Sequence, residues 1–353
     1  MSTPETSPNS HAQADLVLVT GISGFLGGHV ALELLRQGYR VRGSVRNLNK
    51  ADKVRATLAA HGADLSRVEF VALDLLSDTG WEAAVRGCRY VQHVASPFVL
   101  AQPKDRNELI RPAVEGTTRA IKSSLAAGVE RIVVTSSIAA IVYGHAPNRP
   151  APFTEADWTN LAGPLVPAYQ ESKTRAEQAA WQLVESYGAR DRLAVINPSA
   201  IMGPLLDDDP GTSGQLLMRL LDGSVPGTPK MTFSVIDVRD VAAAQVAAMQ
   251  QAEAGGKRFI LSDSEMSMFE MAETIRKGYQ RPGIKVPRFE LPSFMVRIVG
   301  LFDRQIRDNV AELDNVRACN GDAGRRLIGR GYIPAPEAIL ATVRTIYDNG
   351  IMK

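Results

Sequence analysis

The sequence predicts an α/β fold: a doubly wound parallel sheet covered by helices on both faces, with a smaller, mostly helical C-terminal region. Short β-branched, apolar segments alternate with helical patterns from Leu16 to Pro198. These apolar segments are nearly continuous, as in a parallel sheet that is buried on both faces. The alternation fades after Pro198, where loops rich in Pro, Gly and Asp precede mostly helical segments.

The strands and helices can be assigned in chain order. The predicted strands are LVLVT, YRVRGSV, VEFVAL, YVQHVA, RIVVTSS and RLAVINP. Helix-like segments between them include Gly24 to Gln37, Asn107 to Ala127 and Tyr169 to Tyr187. We expect a disordered tail over residues 1–14, the sheet domain over 15–198 with a return segment near 231–262, and a substrate-binding cap formed by 199–230 and 263–353.

Composition narrows the class of protein. The chain has 353 residues, 45% of them hydrophobic, and a formal net charge of +2, which gives no electrostatic argument for a nucleic-acid partner. Two cysteines without metal-ligand spacing favour a reducing cytoplasm. The Ser/Pro/Thr-rich start predicts a disordered tail rather than a signal peptide, and no apolar stretch reaches the ~20 residues of a membrane helix. We expect a small-molecule partner, no bound metal, no membrane contact, and a monomer or homodimer.

A glycine-rich turn follows the first predicted strand. Gly21, Gly24 and Gly27 are spaced three apart between LVLVT and an amphipathic helical pattern. Glycine in a helix costs on the order of 1 kcal/mol relative to alanine, so it is kept where a side chain would obstruct something. In this order the first glycine permits a tight turn, the second a close pyrophosphate, and the third close helix packing. The motif predicts a Rossmann-type dinucleotide site facing free helix amides; an ordinary Gly-rich turn is the alternative.

The residues after the second predicted strand favour NADP over NAD. An NAD-binding domain usually places an acid there, about 20 residues after the glycine turn, whereas RVRGSVRNLNKADK has none before Asp52. Arg46 stands at the strand end, with Arg42 before it and Lys53 beyond, and such groups pair with a 2′-phosphate. Solvated surface charges are the alternative. Asp74, after the third predicted strand, either accepts a hydrogen bond from the adenine or caps a helix.

Tyr169 and Lys173 form a candidate proton-transfer pair. They are four apart in AYQESKTRAEQAAW, so both project from one face of a helix. A phenol has a pKa of about 10, and a neighbouring ammonium lowers that pKa and makes tyrosine a usable acid or base. Ser136 and Ser137 end a predicted strand at the sheet edge where ligands bind. Either hydroxyl can hold a carbonyl oxygen while Tyr169 delivers a proton; strand-end capping is the alternative role.

Six motifs resemble those of the extended short-chain dehydrogenases/reductases in order and spacing. They are VTGISGFLG, HVASP, VEGTTRAI, VVTSS, YQESK and NPSAIMGP. From about Leu16 the chain is similar to the dihydroflavonol-4-reductase-like branch, which includes ketone, aldehyde and cinnamoyl-CoA reductases. The resemblance implies reversible, NADPH-dependent reduction of a ketone or aldehyde to an alcohol. Ser137 and Tyr169 would hold the carbonyl oxygen, and Tyr169 would donate its proton with the help of Lys173.

The resemblance also implies contacts around the cofactor and the substrate. The catalytic residues are Ser137, Tyr169 and Lys173. The cofactor contacts are Thr20, Gly21, Ser23, Gly24, Phe25, Leu26, Gly27, Arg46, Lys53, Asp74, Leu75, Val94, Ala95, Ser96, Thr135, Tyr169, Lys173, Asn197, Pro198, Ser199 and Ala200, the last four beside the nicotinamide amide. The expected substrate contacts are Phe98, Ser137, Tyr143, Met202, Leu205 and Met218. This largely apolar set favours a ketone, aldehyde or keto ester over a sugar nucleotide.

Two positions depart from the family pattern. Arg119 replaces the usual asparagine in VEGTTRAI, which argues against a structural water or proton relay there. The segment 166–168 reads Val-Pro-Ala where cinnamoyl-CoA reductases carry Asn-Trp-Tyr, which argues against a CoA thioester as substrate.

Other functions of the same fold stay open. A nucleotide-sugar epimerase or dehydratase shares the Tyr/Lys pair, but usually holds NAD with an acid where this chain has Arg46. Dehydratases also place acids where Ile138 and Ala139 follow Ser137. A hydroxysteroid dehydrogenase/isomerase and a non-catalytic NADP-sensing protein are further alternatives, although the sensing proteins typically lack the Tyr/Lys pair. His93 is expected to be a packed residue rather than a base.

Overall fold

The computed structural model describes residues 14–97, 103, 105–164, 166–307 and 309–352. The predicted tail, 1–14, lies outside the described residues except for its last residue. Phe98, an expected substrate contact, also lies outside them.

The strands follow the predicted alternation. They are β1 (Leu16–Thr20), β2 (Arg40–Val45), β3 (Val68–Ala72), β4 (Tyr90–His93), β5 (Arg131–Thr135), β6 (Leu193–Pro198), β7 (Ala200–Met202), β8 (Thr228–Pro229), β9 (Thr232–Asp237), β10 (Arg258–Leu261), β11 (Ser264–Ser267) and β12 (Glu290–Leu291). All six predicted strands are present. Three of them stop early, since β3 ends at Ala72, β4 at His93 and β5 at Thr135. Residues 94–97 and 136–137 therefore lie in loops at the end of the sheet.

The helices lie between and after these strands. They are α1 (Phe25–Arg36), α2 (Ala51–Ala60), α3 (Trp81–Val85), α4 (Asn107–Ala126), α5 (Ala168–Ser186), α6 (Gly211–Leu221), α7 (Val238–Gln250), α8 (Met268–Gly278), α9 (Ser293–Gly300), α10 (Arg304–Arg307), α11 (Asp322–Ile328) and α12 (Ala335–Asp348). The three predicted helices correspond to α1, α4 and α5, each within one residue of its expected ends.

Seven strands form one parallel sheet. Their order is β10-β6-β5-β4-β1-β2-β3, and every neighbouring pair is parallel. The order reverses between β1 and β4, and in such a doubly wound sheet ligands bind at this switch point, outside the carboxyl ends of the strands. The predicted fold class is therefore confirmed, and the glycine turn after β1 stands at the switch point.

Both faces of this sheet are buried because side chains of each strand alternate between them. In β1, Val17 and Val19 face a core shared with α1 and α7, whereas Leu16 and Leu18 face a core shared with α3, α4 and α5. Neither face of β1 is left to solvent, which explains why this strand is almost continuously apolar.

The return to the large sheet is shorter than the 231–262 segment expected. Strand β10 pairs with β6 and helix α7 packs against α1. Strand β9 instead joins β7 and β11 in a separate three-stranded sheet. The apolar pattern of SVIDV predicts a strand, but it does not specify which sheet the strand will join.

The cap has its own apolar core. Helices α6, α8 and α12 surround it, and its fully buried members include Met202, Leu217, Ile275 and Ile339. In the part of the chain that the structure describes, no helix is both long and apolar enough to cross a membrane. Nor do the described residues bring three or more His, Cys, Asp or Glu side chains together as a metal site would require.

Candidate active site

At two positions of the glycine turn, the surrounding protein leaves no room for a side chain. Gly21 has φ of +70°, and a Cβ there would approach Ala95 Cα to 3.0 Å. A Cβ on Gly27 would lie 2.1 Å from the carbonyl oxygen of Gly21. These two glycines permit the tight turn and the close packing of α1 that the motif predicts.

Gly24 is different, because no contact within the described protein requires it. It is exposed at the N-cap of α1 with an extended backbone, and an added Cβ would meet only Gly21 O, at an ordinary 3.4 Å. The space beside Gly24 is thus open for a ligand that must approach the backbone. Amides at the start of a helix lack partners within the helix and favour an anion, so this turn fits a pyrophosphate.

A loop from the cap side lies next to this turn. Leu206 packs on Gly28, and Pro204 O accepts a hydrogen bond of 2.9 Å from His29 Nε2. A small cavity between the turn and the loop is lined by Ser23, Gly24 and Phe25 on one side and by Leu206, Asp207 and Asp209 on the other. Burial lowers the pKa of His29 to about 4, so this contact is made by a neutral imidazole.

The basic residues proposed for a 2′-phosphate have three different environments. Arg46 is exposed immediately after β2, at the carboxyl edge of the sheet. Arg42 bonds Glu69 Oε1 at 2.6 Å and the carbonyl oxygen of Ala84 at 2.8 Å, so it stabilises the fold rather than facing a ligand. Lys53 is paired with the cap-side loop, 2.5 Å from Asp208 Oδ1 and 3.4 Å from Asp207 Oδ2.

The region of Asp74 and Leu75 is ordered by Arg119. Asp74 is exposed and accepts a hydrogen bond from Leu76 N at 2.8 Å; it caps a turn and not a helix, because α3 begins only at Trp81. Arg119 donates to Leu75 O at 2.7 Å and lies 2.5 Å from Asp78. The arginine that departs from the family pattern therefore ties α4 to the loop after β3.

The end of β4 is fixed by Thr20. Its hydroxyl oxygen accepts from Val94 N at 3.1 Å and Ala95 N at 3.0 Å, and it bonds His93 Nδ1 at 3.0 Å. Burial lowers the pKa of His93 to about 3, so the imidazole is neutral. This agrees with the prediction that His93 is a packed residue rather than a base. Ser96 follows, half-buried, at the same edge.

Tyr169, Lys173 and Ser137 come together at the carboxyl edge of β5. The hydroxyl of Tyr169 is hydrogen-bonded to Ser137. Ser137 Oγ also accepts from Ala139 N at 3.1 Å and contacts Pro198 O at 3.4 Å. Lys173 Nζ lies 5.9 Å from the centre of the Tyr169 ring and donates to Thr135 O at 3.4 Å. The predicted constellation is thus assembled in the structure by α5 and the end of β5.

The proton affinities of this pair are set mainly by loss of water. Desolvation raises the pKa of Tyr169 to about 12, although the hydrogen bond with Ser137 opposes this rise. Desolvation also lowers the pKa of Lys173 to about 8, against the influence of Glu177. In this structure Lys173 is directed to a carbonyl and not to the phenol oxygen, so the expected lowering of the tyrosine pKa by the ammonium is not seen. A protonated phenol is nevertheless the form that a proton donor must start from.

Ser136 has a different partner from Ser137. Its hydroxyl donates to Glu177 Oε2 at 2.5 Å, in the buried interior behind the strand end. Of the two serines that the sequence left undecided, Ser137 is therefore the one beside Tyr169.

Glu177 was missed by the sequence reasoning, although a signal was present. It follows Lys173 by four residues, within the stripe of α5 that also buries Ala180 and Trp181. An acidic residue in such a stripe is rarely buried without partners. Gln245 of α7 was missed as well: its Nε2 donates to Thr135 Oγ1 at 2.5 Å.

The segment 197–200, at the end of β6, is mostly buried and so only partly accessible to a cofactor. Asn197 is fully buried and donates from Nδ2 to Glu177 Oε2 at 2.8 Å and to Ser137 O at 3.2 Å. Pro198 and Ser199 are buried as well, whereas Ala200 is half-buried. The role of this segment beside a nicotinamide stays a prediction.

The expected substrate contacts are not equally accessible. Tyr143 and Met218 are half-buried. Met202 and Leu205 are 0% and 2% exposed and belong to the core of the cap. In this structure their side chains are therefore not accessible to a substrate. Their apolar character predicts a pocket equally well as a core, and the structure places them in the core.

Comparisons with known proteins agree with this architecture. A family model described as the NAD dependent epimerase/dehydratase family matches residues 17–261. Cinnamoyl-CoA reductase 1 of Oryza sativa subsp. japonica is 34% identical over 335 residues, which cover 94% of this chain and 95% of that one. Tetraketide alpha-pyrone reductase 2 of Arabidopsis thaliana is 33% identical over 267 residues, covering 74% of this chain and 82% of the relative.

A solved structure is similar along almost the whole chain. It is that of yeast methylglyoxal/isovaleraldehyde reductase Gre2 complexed with NADPH, with a TM-score of 0.78 and 25% identity over 96% of this chain and 100% of that one. The glycine turn, the Tyr169–Lys173 helix and these similarities lead to one conclusion. The chain belongs to the NAD dependent epimerase/dehydratase family, the extended short-chain dehydrogenases/reductases.

Proposed function

We propose that this chain is an NADPH-dependent oxidoreductase that reduces a ketone or aldehyde to an alcohol and catalyses the reverse reaction. The observation that carries the proposal is the hydrogen-bonded pair of Ser137 and Tyr169, beside Lys173, at the carboxyl edge of β5. The similarity to a reductase complexed with NADPH supports the cofactor.

The residues divide the chemistry between them. When bound, NADPH supplies the hydride that reduces the carbonyl carbon. The Ser137 and Tyr169 hydroxyls donate hydrogen bonds to the carbonyl oxygen and stabilise the negative charge that develops on it. Tyr169, whose raised pKa keeps it protonated, then gives its proton to this oxygen. The glycine turn would hold the pyrophosphate of the cofactor, and this fixed position would orient the reactants.

The substrate is proposed to be an apolar ketone, aldehyde or keto ester. Tyr143 is the described residue that supports this best, because it is half-buried and packs, like Ile138, against an apolar cluster that includes Ile141. A sugar nucleotide would need polar contacts, and Ile138 and Ala139 occupy the positions where dehydratases carry acids.

A cofactor oxidation assay tests the proposal. The purified protein is mixed with NADPH and a panel of ketones and aldehydes, and the absorbance of the reduced nicotinamide is followed. We expect turnover with NADPH and poor turnover with NADH. Protein that is purified with tightly held NAD, and turns over a nucleotide sugar without added cofactor, would instead identify an epimerase.

Arg46→Asp should shift cofactor preference towards NADH. The substitution removes the proposed partner of the 2′-phosphate and puts a negative charge in its place, so we expect the ratio of kcat/KM for NADPH over NADH to fall about 10–100-fold. The exposed Arg86, whose side chain pairs with Glu82 at 3.5 Å, provides the control Arg86→Asp with the same change of charge. An unchanged ratio in Arg46→Asp would remove Arg46 from the cofactor site.

A further inference from the structure

Glu177 is a buried carboxylate with a complete set of donors. It is 1% exposed, one helical turn after Lys173 in α5. Its Oε2 accepts from Ser136 Oγ at 2.5 Å and Asn197 Nδ2 at 2.8 Å. Its Oε1 accepts from Arg258 Nε at 2.5 Å and Trp181 Nε1 at 3.3 Å. Burial of an ionised carboxylate is costly, and such a shell is what makes it tolerable.

Arg258 anchors this carboxylate to a distant part of the chain. Its side chain is 8% exposed and lies on β10, at the edge of the sheet next to β6. Its Nη1 donates to the carbonyl oxygens of Glu155 and Asp157, at 2.8 and 2.7 Å, and its guanidinium lies 3.8 Å from the centre of the Trp158 ring. The Arg258 guanidinium is therefore held in place by groups other than Glu177, and it fixes the position of the Glu177 carboxylate.

The donors of Glu177 lead directly to Ser137. Ser136 precedes Ser137 in the chain, and Asn197 Nδ2, which Glu177 holds, also donates to Ser137 O at 3.2 Å. Glu177 thus binds the side chain of Ser136 directly, and it is linked through Asn197 to the backbone carbonyl group of Ser137. This arrangement restricts the peptide that presents the Ser137 hydroxyl to Tyr169.

We propose that Glu177 is a positioning residue for the proposed reduction: it holds Ser137 against Tyr169 through Ser136 and Asn197, and its carboxylate, buried on α5 one helical turn from Lys173, favours the ammonium form of that lysine. The inference rests on the proposed function. Glu177 does not touch the reacting atoms in this scheme, so it acts through these neighbours.

Of the titratable groups beside Ser137 and Tyr169, Lys173 is the one whose charge changes near neutral pH. The titratable groups facing it are Glu177 and Tyr169 on its own helix and His93 on β4, with Arg258 on β10 beyond Glu177. The pKa of His93 is lowered to about 3 and that of Tyr169 raised to about 12, so neither changes charge between pH 5 and 10. The pKa of Lys173, about 8, lies within this interval, and the carboxylate of Glu177 raises it.

Glu177→Gln removes the negative charge and alters the hydrogen bonds of this side chain, while its size stays almost the same. The amide has nearly the same shape but only one acceptor oxygen. Arg258 and Trp181 are obligatory donors on one side, so the new NH2 group must face Ser136 and Asn197. Ser136 can rotate to accept, whereas the Asn197 NH2 cannot, and the link to Ser137 weakens.

The experiment measures kcat against pH for wild type and Glu177→Gln with NADPH and a ketone that the wild type reduces. We expect kcat to fall about 10–100-fold and its alkaline limb to move about one pH unit lower, since Lys173 loses its proton more readily. The dissociation constant for NADPH should stay within about twofold. Glu185→Gln, in the last turn of the same helix, is the matched control and should change neither quantity, because Glu185 is exposed and pairs only with Arg190 among the described residues.

A second variant covers the case in which Glu177→Gln does not fold. Ser136→Ala removes one donor but keeps the carboxylate, so kcat should fall about 3–10-fold while the alkaline limb stays in place. A folded Glu177→Gln enzyme with wild-type kcat and an unmoved limb would overturn the inference. If Glu177→Gln is unfolded, wild-type kcat in Ser136→Ala would overturn it. Lack of any carbonyl reduction by the wild type would instead reject the proposed function.

Discussion

Tyr169→Phe should lower the rate of NADPH-dependent carbonyl reduction about 10²–10⁴-fold, the usual contribution of a positioned general acid. The substitution removes one hydroxyl, which leaves Ser137 as the remaining donor to the carbonyl oxygen. The dissociation constant for NADPH, measured by quenching of its fluorescence, should change little, because the glycine turn and Arg46 are intact.

Tyr187→Phe is the matched control, since Tyr187 is the C-cap directly after the same helix and is 59% exposed. It should retain wild-type activity. Turnover by Tyr169→Phe at the wild-type rate would mean that the proton comes from another group.

Alanine at Gly27 should lower the stability of the protein, whereas alanine at Gly24 should weaken NADPH binding. In Gly27→Ala the new Cβ would lie 2.1 Å from Gly21 O, a backbone atom, so α1 must shift and we expect a loss of stability of about 3 kcal/mol. In Gly24→Ala the Cβ has room within the protein, and its backbone conformation is allowed for alanine. We expect that variant to be stable but to bind NADPH at least about tenfold more weakly, because the Cβ occupies the space proposed for the pyrophosphate.

Thermal unfolding and NADPH titration of the two variants distinguish these effects. Gly331→Ala serves as control, since an added Cβ there meets nothing within 4 Å. Normal NADPH affinity in Gly24→Ala would show that the turn is only an ordinary strand–helix connection.

The large sheet could be predicted from the sequence because its signals are local. Buried strands are apolar along their whole length, and the helices between them keep one apolar face, so the alternation is visible without any partner. The destination of β9 could not be predicted in this way. Whether SVIDV pairs with β6 or β7 depends on contacts between distant residues, and its composition is the same in both cases.

The site was predictable to the extent that its residues are neighbours in sequence. Tyr169 and Lys173 share a helix face, and the glycines share a turn. The support behind them is not local: Glu177 meets Arg258, 81 positions later, and Asn197, 20 positions later. Met202 and Leu205 are buried in the core of the cap. Their sequence could not indicate this, since an apolar side chain fits the wall of a pocket and a closed core equally well.

The position of β10 in the chain affects how the protein can be made. A nascent chain that stops short of residue 258 exposes β6 as a bare sheet edge, a site for wrong pairing. Such a chain also lacks Arg258, the ion-pair partner of Glu177, and burying a carboxylate without a cation costs free energy. The large sheet is therefore complete only once the chain has been synthesised as far as Leu261, after the first cap segment, 199–230.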